Sequence, residues 1–195
     1  THRKETAYHA HRDPVVSLCL TSMLKGVEGH NYELLIWDND STPEFRRMLR
    51  GYSPAVLVES VNVGAHNARY NLARIARGKF LCMTDDDVLF HPYWLSEQLK
   101  VYRTFPNVGA VSGSPQHTAF RWGVTNTIGW AQQNNALIDG KIPDQYEKDF
   151  CTSIGREYQG HRLATISEKD YLIEYDGVKA WAHGHHMQFL AERKK

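Results

Sequence analysis

The chain has 195 residues, of which 42% are hydrophobic and 23% charged, and a formal net charge of +1. That length suits one domain with a proper core, and the even charge balance points to neither nucleic acid nor an anionic membrane surface. No apolar run approaches the roughly 18 residues of a spanning helix, and no signal-peptide pattern is present.

In chain order, Thr1 to Pro14 is polar and aperiodic and reads as a loop. Val15 to Lys25 places Val16, Leu20, Met23 and Leu24 at helical spacing, with Gly26 as the stop. Tyr32 to Trp37 is a β-rich run that ends in Asp38-Asn39-Asp40-Ser41. Pro43 to Arg50 is a short helix, with Ser41 or Thr42 as N-cap and proline at its first position. Ala55 to Ser60 reads as a strand, and Gly64 to Arg77 as an amphipathic helix. Phe80 to Met83 has the length of a buried strand and runs at once into Asp85, Asp86 and Asp87. His91 to Phe105 reads as a helix and Val108 to Val111 as a strand. Elements alternating at this pitch predict an α/β fold built of βαβ units, with a mostly parallel sheet flanked by helices.

After Pro115 the pattern changes. Residues 116 to 145 are rich in Asn, Gln, Trp and Gly and show no clear period, as expected of an irregular acceptor-side segment or lid. A helix is predicted over Glu147 to Tyr158. Short strands are predicted at Arg162 to Ile166, Tyr171 to Tyr175 and Val178 to Trp181, with a closing helix at Met187 to Lys194. A doubly wound domain normally opens with a buried strand, so the first strand is expected to be missing from this chain or supplied from elsewhere. The expected organisation is one domain over 1–195, in which the pattern changes between a first half (1–115) and a second (116–195).

The acidic triplet carries the first functional expectation. Three adjacent carboxylates repel one another and cannot all be buried unpaired. A divalent cation that carries phosphates meets that demand, because Mg2+ and Mn2+ favour carboxylate and phosphate oxygens. In an open α/β sheet, ligands bind beyond the carboxyl ends of the strands, where this triplet falls. Cys19, Cys82 and Cys151 lie far apart without metal-site spacing and read as reduced, mostly buried thiols of a cytoplasmic protein, peripheral membrane attachment being left open.

Five segments together carry a family resemblance. Thr1-His2-Arg3 looks like the end of a first strand written T-x-N-R, and LLIWDNDST (Leu34 to Thr42) is similar to the second strand with its D-N-x-S-T. NVGAHNARYNLARIARGKFLCMTDDDV (Asn62 to Val88) looks like the run that leads into a D-x-D motif. HPYWL and FPNVGAVSGSP match the usual continuation. The chain therefore resembles the family 2, inverting, nucleotide-sugar-dependent glycosyltransferases of the GT-A fold.

That resemblance implies a nucleotide-sugar donor, with UDP favoured, a glycan or other hydroxyl acceptor, and Mn2+ or Mg2+ as cofactor. It implies Asp85 and Asp87 as metal ligands, with Asp85 or Asp86 serving the ribose or a metal-bound water. Asp38 is implied as acceptor of a uracil N–H, with helix capping as its alternative role, and Thr1 and Arg3 as lining of the same pocket. Asn67 and Arg69 are implied to reach the nucleotide. A C-terminal histidine, His186 or His185 with His183 third, is implied at the metal or diphosphate. For the general base the usual E-D-x-D segment is altered to Tyr146-Glu147-Lys148-Asp149. Counting back from Gly160-His161-Arg162-Leu163 favours Asp149, which is taken as the base, with Glu147, favoured by direct motif matching, as the alternate. Trp122 and Trp130 are candidates to stack on an acceptor sugar. The rival readings are a nucleotidyltransferase and a degenerate domain that binds nucleotide sugar or glycan without transfer.

Overall fold

Helix and strand alternate through the first half much as the periodicity predicts. The computed structural model describes residues 12–115, 124–165 and 169–193. The elements run α1 (Arg12–Lys25), β1 (Leu35–Asn39), α2 (Pro43–Arg50), β2 (Val56–Ser60), α3 (Ala65–Ile75), β3 (Phe80–Thr84) and α4 (Trp94–Thr104). They continue as α5 (Thr125–Gln133), β4 (Leu137–Ile138), α6 (Asp144–Ser153), α7 (Tyr158–Thr165), β5 (Leu172–Tyr175), β6 (Val178–Trp181) and β7 (Gln188–Glu192). The chain forms two compact units, residues Thr1–Leu95 with Ala191–Lys195, and residues Ser96–Leu190.

In the first unit β1 and β2 pair in parallel, with Leu35 opposite Val56 and Asn39 opposite Ser60. Val16, Leu20, Phe45 and Leu49 close one core, so α1 and α2 bury their apolar stripes together. A second core gathers Cys19, Val27, Phe90 and Trp94. The α2 boundaries are locally coded. Thr42 accepts the Phe45 N–H at 3.3 Å, and Pro43 takes the first position, where its missing donor costs nothing. Beyond β7, the Arg193 N–H donates to the Lys79 carbonyl at 2.9 Å and ties the end of the described chain to the start of β3.

The second unit is an antiparallel meander with helices. β4 pairs with β5 and β5 with β6, all antiparallel. Its core is Phe105, Ala131, Ala136, Ile173 and Val178. Trp130 belongs to that core: its ring meets Phe105 edge-on at 5.9 Å and Tyr175 at 5.3 Å. It is thereby committed to packing and not to a sugar platform, and Trp122 lies outside the described residues.

Several predicted elements differ. The loop expected to run to Pro14 gives way to helix at Arg12, because a proline in the first helical turn loses no intrahelical bond. No strand forms at 108–111. Asn107 turns left-handed after Pro106, and only Val111 bridges Leu190, exchanging N–H···O bonds of 2.9 and 2.8 Å. The supposedly irregular stretch contains α5 and β4 within its described part. Arg162 to Thr165 is helical and not extended, since Glu157 accepts the Gln159 N–H at 2.7 Å, and the Gly160 N–H as well, and so starts α7. The closing helix is strand β7, where buried and half-buried residues alternate with period two from Gln188 to Leu190.

Candidate active site

The acidic triplet begins one residue after β3, so the strand delivers three successive carboxylates at its carboxyl end. Each is answered by a guanidinium. Arg69, on the middle turns of α3, pairs with Asp85. Arg12, at the first position of α1, spans the other two, with Nη2 on Asp86 and Nη1 3.2 Å from Asp87. The Cys19 thiol donates to the Asp85 carbonyl at 3.7 Å. Burial first, then the Asp86 and Asp87 charges, push that thiol up to about 11, so it stays protonated as a donor. Arg12 falls in the stretch expected to be a loop, and nothing local marks it. It lies 75 residues from Asp87 in sequence.

At the end of β1, Asp38 is buried, 3% exposed. Its Oδ2 accepts from Arg46 Nε at 2.7 Å and from the Ser41 N–H at 3.3 Å. Its Oδ1 is buried with no hydrogen-bond partner among the described residues. The helix-capping alternative does not apply, because Thr42 caps α2. A buried carboxylate oxygen left bare is costly unless a ligand donor arrives. Asn67 is exposed and donates to the Val63 carbonyl at 2.9 Å within its own helix start. Thr1 and Arg3 lie outside the described residues.

In the second unit the two candidate bases sit on opposite faces of α6. Glu147 shares the inward face with Cys151, four residues on, and is 6% exposed. Asp149 faces solvent and accepts from Gln145 Nε2 at 2.7 Å. His161 Nε2 stands 3.2 Å from Glu147 Oε1, while its Nδ1 stands 3.3 Å from Arg156 Nη1. Arginine only donates, so Nδ1 accepts and Nε2 carries the proton toward Glu147. Arg162 Nε lies 3.9 Å from Glu147 Oε2, close enough for charge attraction but beyond a hydrogen bond. His161 and Arg162 fall in the Gly160-His161-Arg162-Leu163 run used to count to the base, yet its spacing assigned neither of them a role.

His185 is buried, 8% exposed, stacked on His186 at 4.7 Å and set against Phe150 at 5.0 Å. Burial, with the neighbouring His186, lowers its pKa and keeps the imidazole neutral, the form a metal requires. His186 is exposed and His183 buried. Among the described residues no three His, Cys, Asp or Glu side chains gather to hold an ion. A hard cation bound through only one or two carboxylates completes its shell with phosphate and water oxygens.

The sequence model described as "Glycosyl transferase family 2" matches residues 7–155. The chain belongs to glycosyl transferase family 2, and its α/β architecture is that of a GT-A glycosyltransferase domain. Among solved structures it is similar to a mannosyltransferase, PcManGT, from Pyrobaculum calidifontis, in complex with GDP-Man and Mn2+. The two are 24% identical, with a TM-score of 0.46, over 56% of this chain and 34% of that one. The chain thus spans about a third of that protein's length. No curated protein matches it. No helix among the described residues is long and apolar enough to cross a membrane.

Proposed function

We propose that this domain transfers a sugar, with inversion, from a nucleoside-diphosphate donor to a hydroxyl acceptor such as a glycan, a UDP-sugar being the first donor to test. The observation that carries the reading is the Asp85–Asp87 triplet at the carboxyl end of β3, flanked by Arg12 and Arg69. Asp85 and Asp87 are the residues proposed to hold Mn2+ or Mg2+. That ion, when bound, supplies Lewis-acid stabilisation to the leaving diphosphate. Arg12 and Arg69 add fixed positive charge beside the same phosphates, and Asp86 serves the ribose hydroxyls. Asp38 Oδ1 accepts the nucleobase N–H. Asn67, Thr1 and Arg3 complete the donor contacts in this reading.

Transfer passes through an oxocarbenium-like state. The acceptor oxygen attacks the anomeric carbon as the bond to the diphosphate oxygen breaks, and the acceptor proton goes to a carboxylate. We assign that carboxylate to Glu147 ahead of Asp149, because Glu147 is buried beside His161 and Arg162, whereas Asp149 is exposed and, among the described residues, accepts from Gln145 on its own helix. Preorganised groups keep their geometry through the reaction, and exposed ones do not.

Calorimetric titration of UDP and of GDP, each with Mn2+, Mg2+ or chelator, tests the donor half. Metal-dependent binding of one nucleotide, lost in Asp87→Ala, is the expected result. Binding that ignores both metal and the substitution would sink the assignment of the triplet.

A further inference from the structure

The second unit contains a pocket of about 370 Å3 that no step above uses. It lies between the β4–α6 connection, helix α7 and the segment leading into β5, all within Ser96–Leu190. Its size is at the lower end of small-molecule sites, which run to about 300–1,000 Å3. The loop that forms one wall needs its glycine. A Cβ at Gly140 would lie 2.8 Å from Leu172 Cδ2 and 2.9 Å from Leu172 Cβ, so only glycine lets this stretch lie against β5.

The lining alternates donors and acceptors. Lys141, Arg162 and Lys169 donate, and Asp139 and Asp170 accept, while Leu137 and Tyr171 supply apolar surface. Two of the cations already face a carboxylate. Lys141 Nζ is 3.0 Å from Asp144, Arg162 faces Glu147, and Asp170 Oδ2 accepts the Ile142 N–H at 2.7 Å. Lys169 Nζ sits 5.3 Å above the centre of the Tyr171 ring. A pocket lined by three cations and two anions in close alternation is dominated by neither sign. It offers preplaced donors and acceptors beside apolar surface, which is the requirement of a polyhydroxylated ring with hydroxyl edges and C–H faces.

We propose that this pocket seats a neutral sugar ring, and that on the transferase reading, on which this role rests, the ring belongs to the acceptor. Arg162 is shared between the pocket and Glu147, so the group that lines the sugar site also touches the assigned base. The substrate class that follows is an uncharged glycan, as opposed to a uronic acid or a sugar phosphate.

The test is amide NMR of the whole chain, titrated separately with glucose, galactose, mannose, N-acetylglucosamine, glucuronate and inorganic phosphate. At least one neutral sugar is expected to move the amides of Gly140, Lys141, Asp170 and Tyr171. Asp139→Asn and Lys169→Gln, two changes near the surface, are each expected to weaken that response about tenfold. The proposal is overturned if no neutral sugar moves these amides, or if phosphate or glucuronate moves them at lower concentration than any neutral sugar does. UDP and GDP titrated into the same samples separate the two claims. Nucleotide binding without a sugar response refutes the pocket alone. A sugar response without nucleotide binding supports the sugar site and refutes the transferase reading.

Discussion

Glu147 and Asp149 differ by two positions on one helix and by almost everything in their surroundings. Removing the proton acceptor while keeping shape is the direct comparison. Glu147→Gln is expected to lower the transfer rate about 10²–10⁴-fold while leaving nucleotide binding in place, and Asp149→Asn to cost far less. The opposite ranking, read from initial rates with saturating donor, would return the base to Asp149. Glu33 provides a second single-residue test. It accepts the backbone N–H groups of Arg77 and Gly78, the latter at 3.0 Å, and the Arg77 side chain at 3.2 Å. The Arg77 N–H is the largest cause holding its pKa below the ordinary 4.5. A lowered folded pKa means stability present above pH 4.5 and lost as pH falls through the folded value. The acid side of a Tm-against-pH curve is therefore expected to flatten in Glu33→Gln. An unchanged slope would show that the contact contributes nothing measurable.

At the scale of elements, the α1–β1 connection turns on Gly26. A Cβ there would meet Trp94 at 2.2 and 2.3 Å, and Trp94 is pinned by its Nε1–H on the Met23 carbonyl at 3.1 Å. The Cδ1–Nε1 edge of the indole lies against that position and cannot retreat without straining that bond. Gly26→Ala is expected to cost about 1–3 kcal/mol, read as a lower urea midpoint with an unchanged slope. A neutral result would show that the Trp94 ring has room to move. The same scale shows what could be read in advance. Elements with local punctuation were legible: Thr42 and Pro43 mark α2, and the apolar run before the triplet marks β3. Short apolar runs without punctuation were not. Arg162 to Thr165 and Gln188 to Glu192 suit helix or strand about equally, and tertiary partners decided each against the prediction.

For the molecule as a whole, the family and its α/β class were readable because its motifs lie in contiguous segments of the first half. The supports of the candidate site were less so, since Arg12 meets Asp87 across 75 residues and Glu147 meets His161 across two helices. Pairings of that kind leave no trace in spacing. The second half carries fewer and altered motifs, and the pocket there arises from three segments that only folding brings together.

The guanidiniums on the triplet have a further consequence. Arg12 and Arg69 pair with the carboxylates that, on the function proposed above, would hold the divalent cation. On that reading loading would be an exchange of counter-ions, with the arginines passing from the carboxylates to the diphosphate. Arg12→Gln is accordingly expected to move two affinities in opposite directions. Mn2+ alone should bind more tightly, because a competitor has gone. UDP in the presence of saturating Mn2+ should bind more weakly, because a phosphate ligand has gone. Calorimetry with and without nucleotide measures both, and a parallel change in the two would show that Arg12 is only a structural clasp. If the exchange holds, the free protein discriminates against binding metal by itself and keeps its cation for the moment the donor arrives.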